Sequence, residues 1–252
     1  MKLIDIHSHI LPYMDDGAKD MDMTLEMLRI AQVDGITGII ATPHYKAGRF
    51  KGDAAQAGEL LEELCVRMKE EHININLYLG NEIYYRSELE EKLESGSLST
   101  LNGSGYVLVE FSPLDDFIHI RNAMEDILGM GYVPVLAHAE RYQCMTKHPE
   151  HVRELKEMGC DIQVNADSVT GEIGFKVKWF VHKLLKEYLV DYIGTDAHGT
   201  DKRKPAMKKC AELLYRKYDK AYADALLFRN AQKRLLSIKN KKQEENENAE
   251  HR

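Results

Sequence analysis

Short runs rich in β-branched and aromatic residues alternate along this chain with longer amphipathic stretches, and the alternation continues through seven strand-like segments. These are KLIDIHSH (2–9), ITGIIATPH (36–44), INLYLGNEI (75–83), YVLVEF (106–111), YVPVLAHAE (132–140), CDIQVNA (160–166) and LVDYIGTDAH (189–198). Between them, MTLEMLRIAQVDG, AAQAGELLEELCVRMKEEH, SELEEKLESG, IHIRNAMEDILGMG, HPEHVRELKEMG and KVKWFVHKLLKEY place apolar residues at helical spacing. Several end in Gly, a helix C-terminal signal. The stretch KPAMKKCAELLYRKYDKAYADALLF completes the seventh unit. Strand followed by helix, repeated in this way, implies a parallel sheet covered by helices, either open and doubly wound or closed into a barrel. Pro134 conflicts with an interior strand because it has no N–H for the ladder, but it sits near the start of its run, where the conflict is mildest.

The chain has 252 residues, 44% of them hydrophobic, enough for one large domain with a substantial core. No Gly/Ser/Pro-rich linker divides it, so residues 1–239 read as a single domain. The polar stretch 240–252 (NKKQEENENAEHR) has no apolar face and is expected to be disordered. A net charge of -7 argues against a nucleic-acid-binding surface. The four cysteines, Cys65, Cys144, Cys160 and Cys210, form no C-x-x-C pair and no C-x5-R loop, and read as reduced thiols. His and Asp interrupt the N-terminal LIDIHSHIL, so neither a signal peptide nor a membrane span fits. A cytoplasmic protein without membrane insertion is expected.

The ionisable residues then fall in a pattern. His7 and His9 close the first run, His44 the second, Glu82 the third, Glu110 the fourth, His138 the fifth, and Asp196 with His198 the seventh. Each alone has an ordinary reading, as a hydrogen-bonded histidine or a solvated carboxylate. In a parallel barrel, however, all these ends open onto one rim, whereas an open sheet would spread them along a line. Residues i and i+2 of a strand share a face, so His7 and His9 can converge, and Asp196 and His198 repeat the spacing. Together they imply a metal site. Asp16, in the turn sequence DDG, is ordinary as a turn residue and gains interest only from its position after a ligand-bearing strand. His72, His119, His148, His151, His182 and His251 lie in helical, loop or tail contexts and are expected to be mostly solvated.

The H-x-H start, ATPH ending in His44, GNEIYY around Glu82, LVEF with Glu110, AHAERY and TDAH resemble the polymerase and histidinol phosphatase (PHP) family. Within it, DIHSHILPYMDDGAKD and AHAERY are most similar to the bacterial manganese-dependent tyrosine-protein phosphatases of capsule and exopolysaccharide biosynthesis. The likeness runs in order from the first strand to about Arg203. It implies a distorted (β/α)7 TIM-like barrel and a centre of three metal ions. One would be held by His7, His9, Glu82 and Asp196, a second by Glu82, Glu110 and His138, and a third by Asp16, His44 and His198. Relatives in the broader family often carry His where Glu110 and Asp16 stand here, and the added oxygen donors favour Mn or Fe over Zn, with Mg also open.

The activity so implied is hydrolysis of phosphotyrosine by a metal-activated hydroxide, with Arg141 and Arg203 as candidate clamps on the phosphoryl oxygens. The implied partner is a phosphotyrosine-bearing protein, the C-terminal tail of a bacterial tyrosine kinase, and a homo-oligomer is left open. The loop YKAGRFKGD (45–53), with Lys46, Arg49, Phe50 and Lys51, either contacts an acidic or aromatic substrate segment or is merely solvated. Tyr84 and Tyr85 either flank a substrate ring or pack on the scaffold. Two other readings stay open: a histidinol-phosphate or other small-molecule phosphoesterase on the same site, and a non-catalytic phosphopeptide-binding scaffold.

Overall fold

Parallel pairing dominates the strands, as the alternation requires. The structure, a computed structural model, describes residues 2–237, so the expected polar tail 240–252 lies outside the described residues. Strands β1 (Leu3–Ser8) and β2 (Ile36–Ala41) are followed by a two-strand excursion, β3 (His44–Lys46) and β4 (Phe50–Lys51). Then come β5 (Asn76–Leu79), β6 (Glu82–Tyr84), β7 (Tyr106–Glu110), β8 (Val133–Leu136), β9 (Asp161–Asn165) and β10 (Tyr192–Gly194). They form a three-stranded sheet, β1-β2-β5, and a seven-stranded sheet, β10-β9-β8-β7-β6-β3-β4. Every pairing is parallel except the β3–β4 hairpin. The molecule is a single α/β domain. No helix among the described residues is long and apolar enough to cross a membrane.

Helices follow where the apolar spacing places them, at Met21–Asp34, Ala54–Glu70, Phe117–Gly129, Glu150–Met158 and Phe175–Lys186. Asp20, Asp53 and Asp116 cap three of them by accepting from the backbone N–H three residues on. Gly35 and Gly159 end two in the left-handed conformation, as the Gly signals predict.

Two strand candidates are each broken in the middle. ITGIIATPH is β2 then β3, and INLYLGNEI is β5 then β6, with interruptions at Thr42–Pro43 and Gly80–Asn81. Pro43 has no N–H to continue a ladder, and the buried Asn81 side chain takes over part of the bonding. Its Nδ2 donates to the carbonyls of Pro43 (3.0 Å) and Gly52 (2.9 Å), and its Oδ1 accepts from Ser99 N (2.8 Å). The chain also crosses the gap by Gly80 N donating to Ala41 O (2.9 Å) and Glu82 N to Pro43 O (3.3 Å). On the other side of the three-stranded sheet, Asp196 N donates to His7 O (2.8 Å) and His9 N to Ala197 O (2.9 Å). Pro134 costs the sheet nothing. Val133 N and Ala137 N donate towards β7, which turns Pro134 to the β9 side, where pairing begins only at Val135.

One hydrophobic cluster gathers Ile4 and Ile6 of β1, Ile40 of β2, Leu108 of β7, Val135 of β8 and Tyr192 of β10, closed by Ala231 and Leu235 from the C-terminal helical segment. A larger one fills the layer between strands and helices. The strand ends therefore stand over a packed interior, and polar side chains are brought together above it.

Candidate metal centre

Glu82 is the hub of the polar cluster. Fully buried at the start of β6, its Oε2 lies 3.2 Å from His7 Nε2, 3.1 Å from His9 Nε2 and 3.0 Å from His44 Nδ1, while Oε1 lies 2.8 Å from His138 Nε2. Asp196 Oδ1 lies 3.6 Å from His7 Nε2 and 3.5 Å from His9 Nε2. Potential donor atoms of His7, His9, Glu82 and Asp196 all lie within 4.8 Å of one another. The same holds for His44, Glu82 and Glu110, and for His9, His44 and His198.

All nine residues expected as ligands are thus drawn to one place, though two of the three groupings differ from those the family resemblance implies. His44 faces Glu82 and Glu110 through Nδ1, while His138 sits on the other oxygen of Glu82, 3.9 Å from Glu110 Oε2. Asp16 lies at the edge, half-exposed, its Oδ1 3.7 Å from His44 Nε2 and 3.6 Å from His198 Nε2.

The strand-face argument holds only in part. His9 lies just beyond β1, and its Nε2 reaches within 3.2 Å of His7 Nε2. Asp196 and His198, in contrast, are not on a strand, because β10 ends at Gly194 and Asp196 has φ 52°. His138 likewise follows the end of β8, with φ 33°. Both donors are aimed by a left-handed turn rather than by strand alternation.

The imidazoles are held in defined orientations by residues the sequence patterns left unmarked. Asp15 Oδ2 lies 2.8 Å from His9 Nδ1, so that nitrogen carries a proton and Nε2 is the ring atom turned to the cluster. Asp15 also accepts from His44 N (2.8 Å) and Gly17 N (2.9 Å). A Cβ on Gly17 would stand 2.2 Å from His9 O, so the DDG turn can close on the histidine only with glycine there. Gln163 Oε1 serves His7 Nδ1 (3.1 Å) and accepts from His138 N (2.7 Å). Its Nε2 donates to Asn165 Oδ1 (2.8 Å), and Asn165 Nδ2 donates to Asp196 Oδ2 (3.1 Å). The signal that finds these two is the polar i, i+2 pair inside the otherwise apolar IQVN. The backbone carbonyl of Asp196 holds His198 Nδ1 (3.0 Å).

Burial and charge work against each other here. Burial disfavours a charged Glu82, but His7 and His44 outweigh it and hold the carboxyl well below its usual range. Asp196 is held low in the same way, by His7 and Arg141 against burial. Burial lowers His9, but Asp15 raises it further, to about 9; burial likewise lowers His44, and Glu82 and Glu110 raise it to about 11. His198 goes the other way, to about 3, through burial and the neighbouring His9.

The test of whether such a cluster suits metal ions lies in its unsatisfied atoms. Six buried side-chain N or O atoms make no hydrogen bond among the described residues, and His44 Nδ1 and Glu82 Oε2 are two of them. Buried polar atoms are ordinarily bonded, and these two face each other at 3.0 Å inside the cluster. Imidazole and carboxylate donors fit divalent metals.

At the rim, Arg141 pairs with Asp196 Oδ2 and Arg203 with Asp196 Oδ1 (2.7 Å), both side chains more than a third exposed. The histidines expected to be solvated divide. His72, His119 and His148 are exposed, whereas half-buried His151 and His182 bond Cys144 O and Tyr218 Oη; His251 lies outside the described residues. The cysteines described are free thiols.

An α/β domain with buried histidines and carboxylates converging at its strand ends, and arginines at the mouth, has the constitution of a metal-dependent hydrolase. The chain belongs to the capsular polysaccharide synthesis CpsB/CapC family, the match running over residues 3–236. It is 33% identical to the tyrosine-protein phosphatase CpsB of Streptococcus pneumoniae over 239 residues, 93% of this chain and 98% of that one. It is 37% identical to the tyrosine-protein phosphatase YwqE of Bacillus subtilis over 205 residues, 80% of this chain and 79% of that one. Among solved structures, those of YwqE and CpsB, described as unique metal-dependent tyrosine phosphatases, include a chain that superposes with a TM-score of 0.87. That chain is 33% identical, and the match covers 93% of the present chain and 94% of its counterpart. The resemblance read from the motifs is borne out.

Proposed function

We propose that this chain is a manganese-dependent protein-tyrosine phosphatase of the cytoplasm, acting on a bacterial tyrosine kinase that regulates capsular or exopolysaccharide synthesis. The single observation that carries the reading is the Glu82 hub, a fully buried carboxylate within 3.2 Å of four imidazoles, with an unpartnered oxygen among them. His7, His9, Asp16, His44, Glu82, Glu110, His138, Asp196 and His198 are the residues proposed to hold the metals. Their donor set of imidazole and carboxylate oxygen supports Mn. The fold is proposed to be a distorted (β/α)7 barrel spanning residues 1–239. Supporting it are the backbone bonds at both edges of the three-stranded sheet and the interior cluster drawn from β1, β2, β7, β8 and β10.

Bound metal ions would supply Lewis acidity towards the phosphoryl group and towards water. The chain's own residues do the rest. Asp15, Gln163 and the Asp196 carbonyl fix three imidazoles with Nε2 facing inward, so the donor geometry is set before substrate arrives. Arg141 and Arg203 both reach Asp196 at the edge of the cluster. A phosphoryl group over the cluster falls within their span, and their planar forks suit its oxygens. Three of the thiols are poor nucleophiles: burial pushes the Cys160 thiol up to about 12, and burial raises Cys144 and Cys210 as well.

Metal-depleted protein, with metal content verified, should not release phosphate from a phosphotyrosine peptide, and Mn should restore turnover where Mg or Zn restores less. His138→Ala should stay inactive in Mn. Turnover by the metal-free protein would overturn the mechanism. Preference for histidinol phosphate over the peptide would overturn the substrate class, and tight phosphopeptide binding without release would make the protein a scaffold.

A further inference from the structure

The excursion that follows His44 has a place in the site. β3 and β4 form an antiparallel hairpin in which Lys46 pairs with Phe50. The Phe50 ring lies nearly parallel to the His44 imidazole, centroids 5.7 Å apart and planes 10° apart. The ring is half-buried yet belongs to neither hydrophobic cluster, so the core does not account for an aromatic residue there. Arg49, on the same hairpin, holds its exposed guanidinium over the Phe50 ring at 4.7 Å, with Nη2 3.7 Å from Asp16. Tyr84, which also lies outside both clusters, is flanked by Lys46 at 4.3 Å and Arg86 at 5.2 Å. Tyr85, by contrast, packs on the larger cluster and donates to Asp126 (2.7 Å), which makes it scaffold.

We propose that Phe50 is a specificity-determining residue, the platform on which the phenyl ring of phosphotyrosine rests while its phosphoryl group meets the His44–Glu82 cluster. This rests on the phosphatase reading above. In a phosphotyrosine the ring is one ester oxygen from phosphorus. With the phosphoryl group beside His44, the ring comes within reach of Phe50, whose own ring is stacked 5.7 Å from that imidazole. An exposed guanidinium–ring contact is weak, so an incoming ring displaces Arg49 from Phe50 and leaves it free for acidic groups of the substrate. An alkyl phosphoester has no ring to place there and gains nothing from Phe50.

The test uses the Mn-loaded protein and two inhibitors differing only in the ring, phenylphosphonate and methylphosphonate, with metal content measured for each variant. Phe50→Ala should raise the Ki of phenylphosphonate about 3–10-fold, the range of a lost aromatic pair, and leave that of methylphosphonate unchanged. Phe50→Tyr should restore the wild-type ratio. Equal changes for both inhibitors, or none for either, would overturn the proposal. Failure of the parent reading shows separately, as wild-type protein that does not hydrolyse a phosphotyrosine peptide.

Discussion

Two adjacent aspartates offer a sharp test, because the structure gives them different work. Asp15 is buried against His9 and accepts three hydrogen bonds, from His9 Nδ1 (2.8 Å), His44 N (2.8 Å) and Gly17 N (2.9 Å). Asp16 is half-exposed, with an oxygen facing His44 and His198 at 3.6–3.7 Å. Asp15→Asn changes almost no volume but leaves one acceptor oxygen where there were two. Whichever way the amide turns, its N–H groups confront either Gly17 N–H or the pair His9 Nδ1–H and His44 N–H. The charge-assisted bond to His9 becomes neutral, a loss of about 1 kcal/mol, and the frustrated donor adds about 1 kcal/mol more. The sum corresponds to a fall in metal affinity of about 10–100-fold, the usual effect of losing an outer-shell partner of a metal-bound histidine. The assay is titration of the metal-free protein with Mn against a chromogenic chelator, with bound metal counted at saturation. Asp15→Asn should bind the full complement more weakly and recover most turnover at high Mn. Asp16→Asn should lose part of the complement, since a proposed ligand has gone. Wild-type affinity in Asp15→Asn would refute the orientation argument, and an unchanged complement in Asp16→Asn would remove Asp16 from the ligand set.

Three further expectations follow from other parts of the structure. Replacing Cys65, Cys144, Cys160 and Cys210 together by Ser should leave kcat/KM for a phosphotyrosine peptide close to wild type, and loss of activity in a protein that still folds and binds metal would implicate a thiol. Gly17→Ala would put a Cβ 2.2 Å from His9 O, so the turn must open; a loss of about 1–3 kcal/mol in urea unfolding is expected, together with weakened metal binding, and retention of both would show that the turn gives way freely. His182, lowered by burial and then by Lys217, has a folded pKa below its usual 6.5, so the folded state takes up its proton less readily than the unfolded chain. Its contribution to stability is therefore complete above pH 6.5 and is lost as pH falls below that value; His182→Gln should lose less Tm on acidification than wild type, and parallel Tm curves would discount the residue.

What the sequence discloses about this molecule depends on whether a feature is periodic. The order of strands and helices is periodic and was legible, down to the Gly that ends the helix Met21–Asp34. The breaks at Thr42–Pro43 and Gly80–Asn81 were not, because a side chain from one break bonds the backbone of the other, a contact of long sequence separation. The site divides in the same way. Residues expected as ligands stood out as polar groups recurring at the ends of apolar runs, whereas Asp15 reaches His9 only through a turn, and Gln163 reaches His7 from a distant part of the sequence.

Two left-handed residues of the site carry the point further. His138 (φ 33°) and Asp196 (φ 52°) adopt a conformation that costs a non-glycine residue on the order of 1–3 kcal/mol, and such strain persists only where surrounding bonds over-determine it. Those bonds are present: Gln163 Oε1 accepts from His138 N at 2.7 Å, and Asp196 N donates to His7 O at 2.8 Å. Glycine would suit both backbones better, but it brings no imidazole to Glu82 and no carboxylate to His7. The residue present at each position is explained by the atoms it delivers to the cluster, and strand periodicity misjudged how they are aimed because the chain leaves the strand in order to aim them.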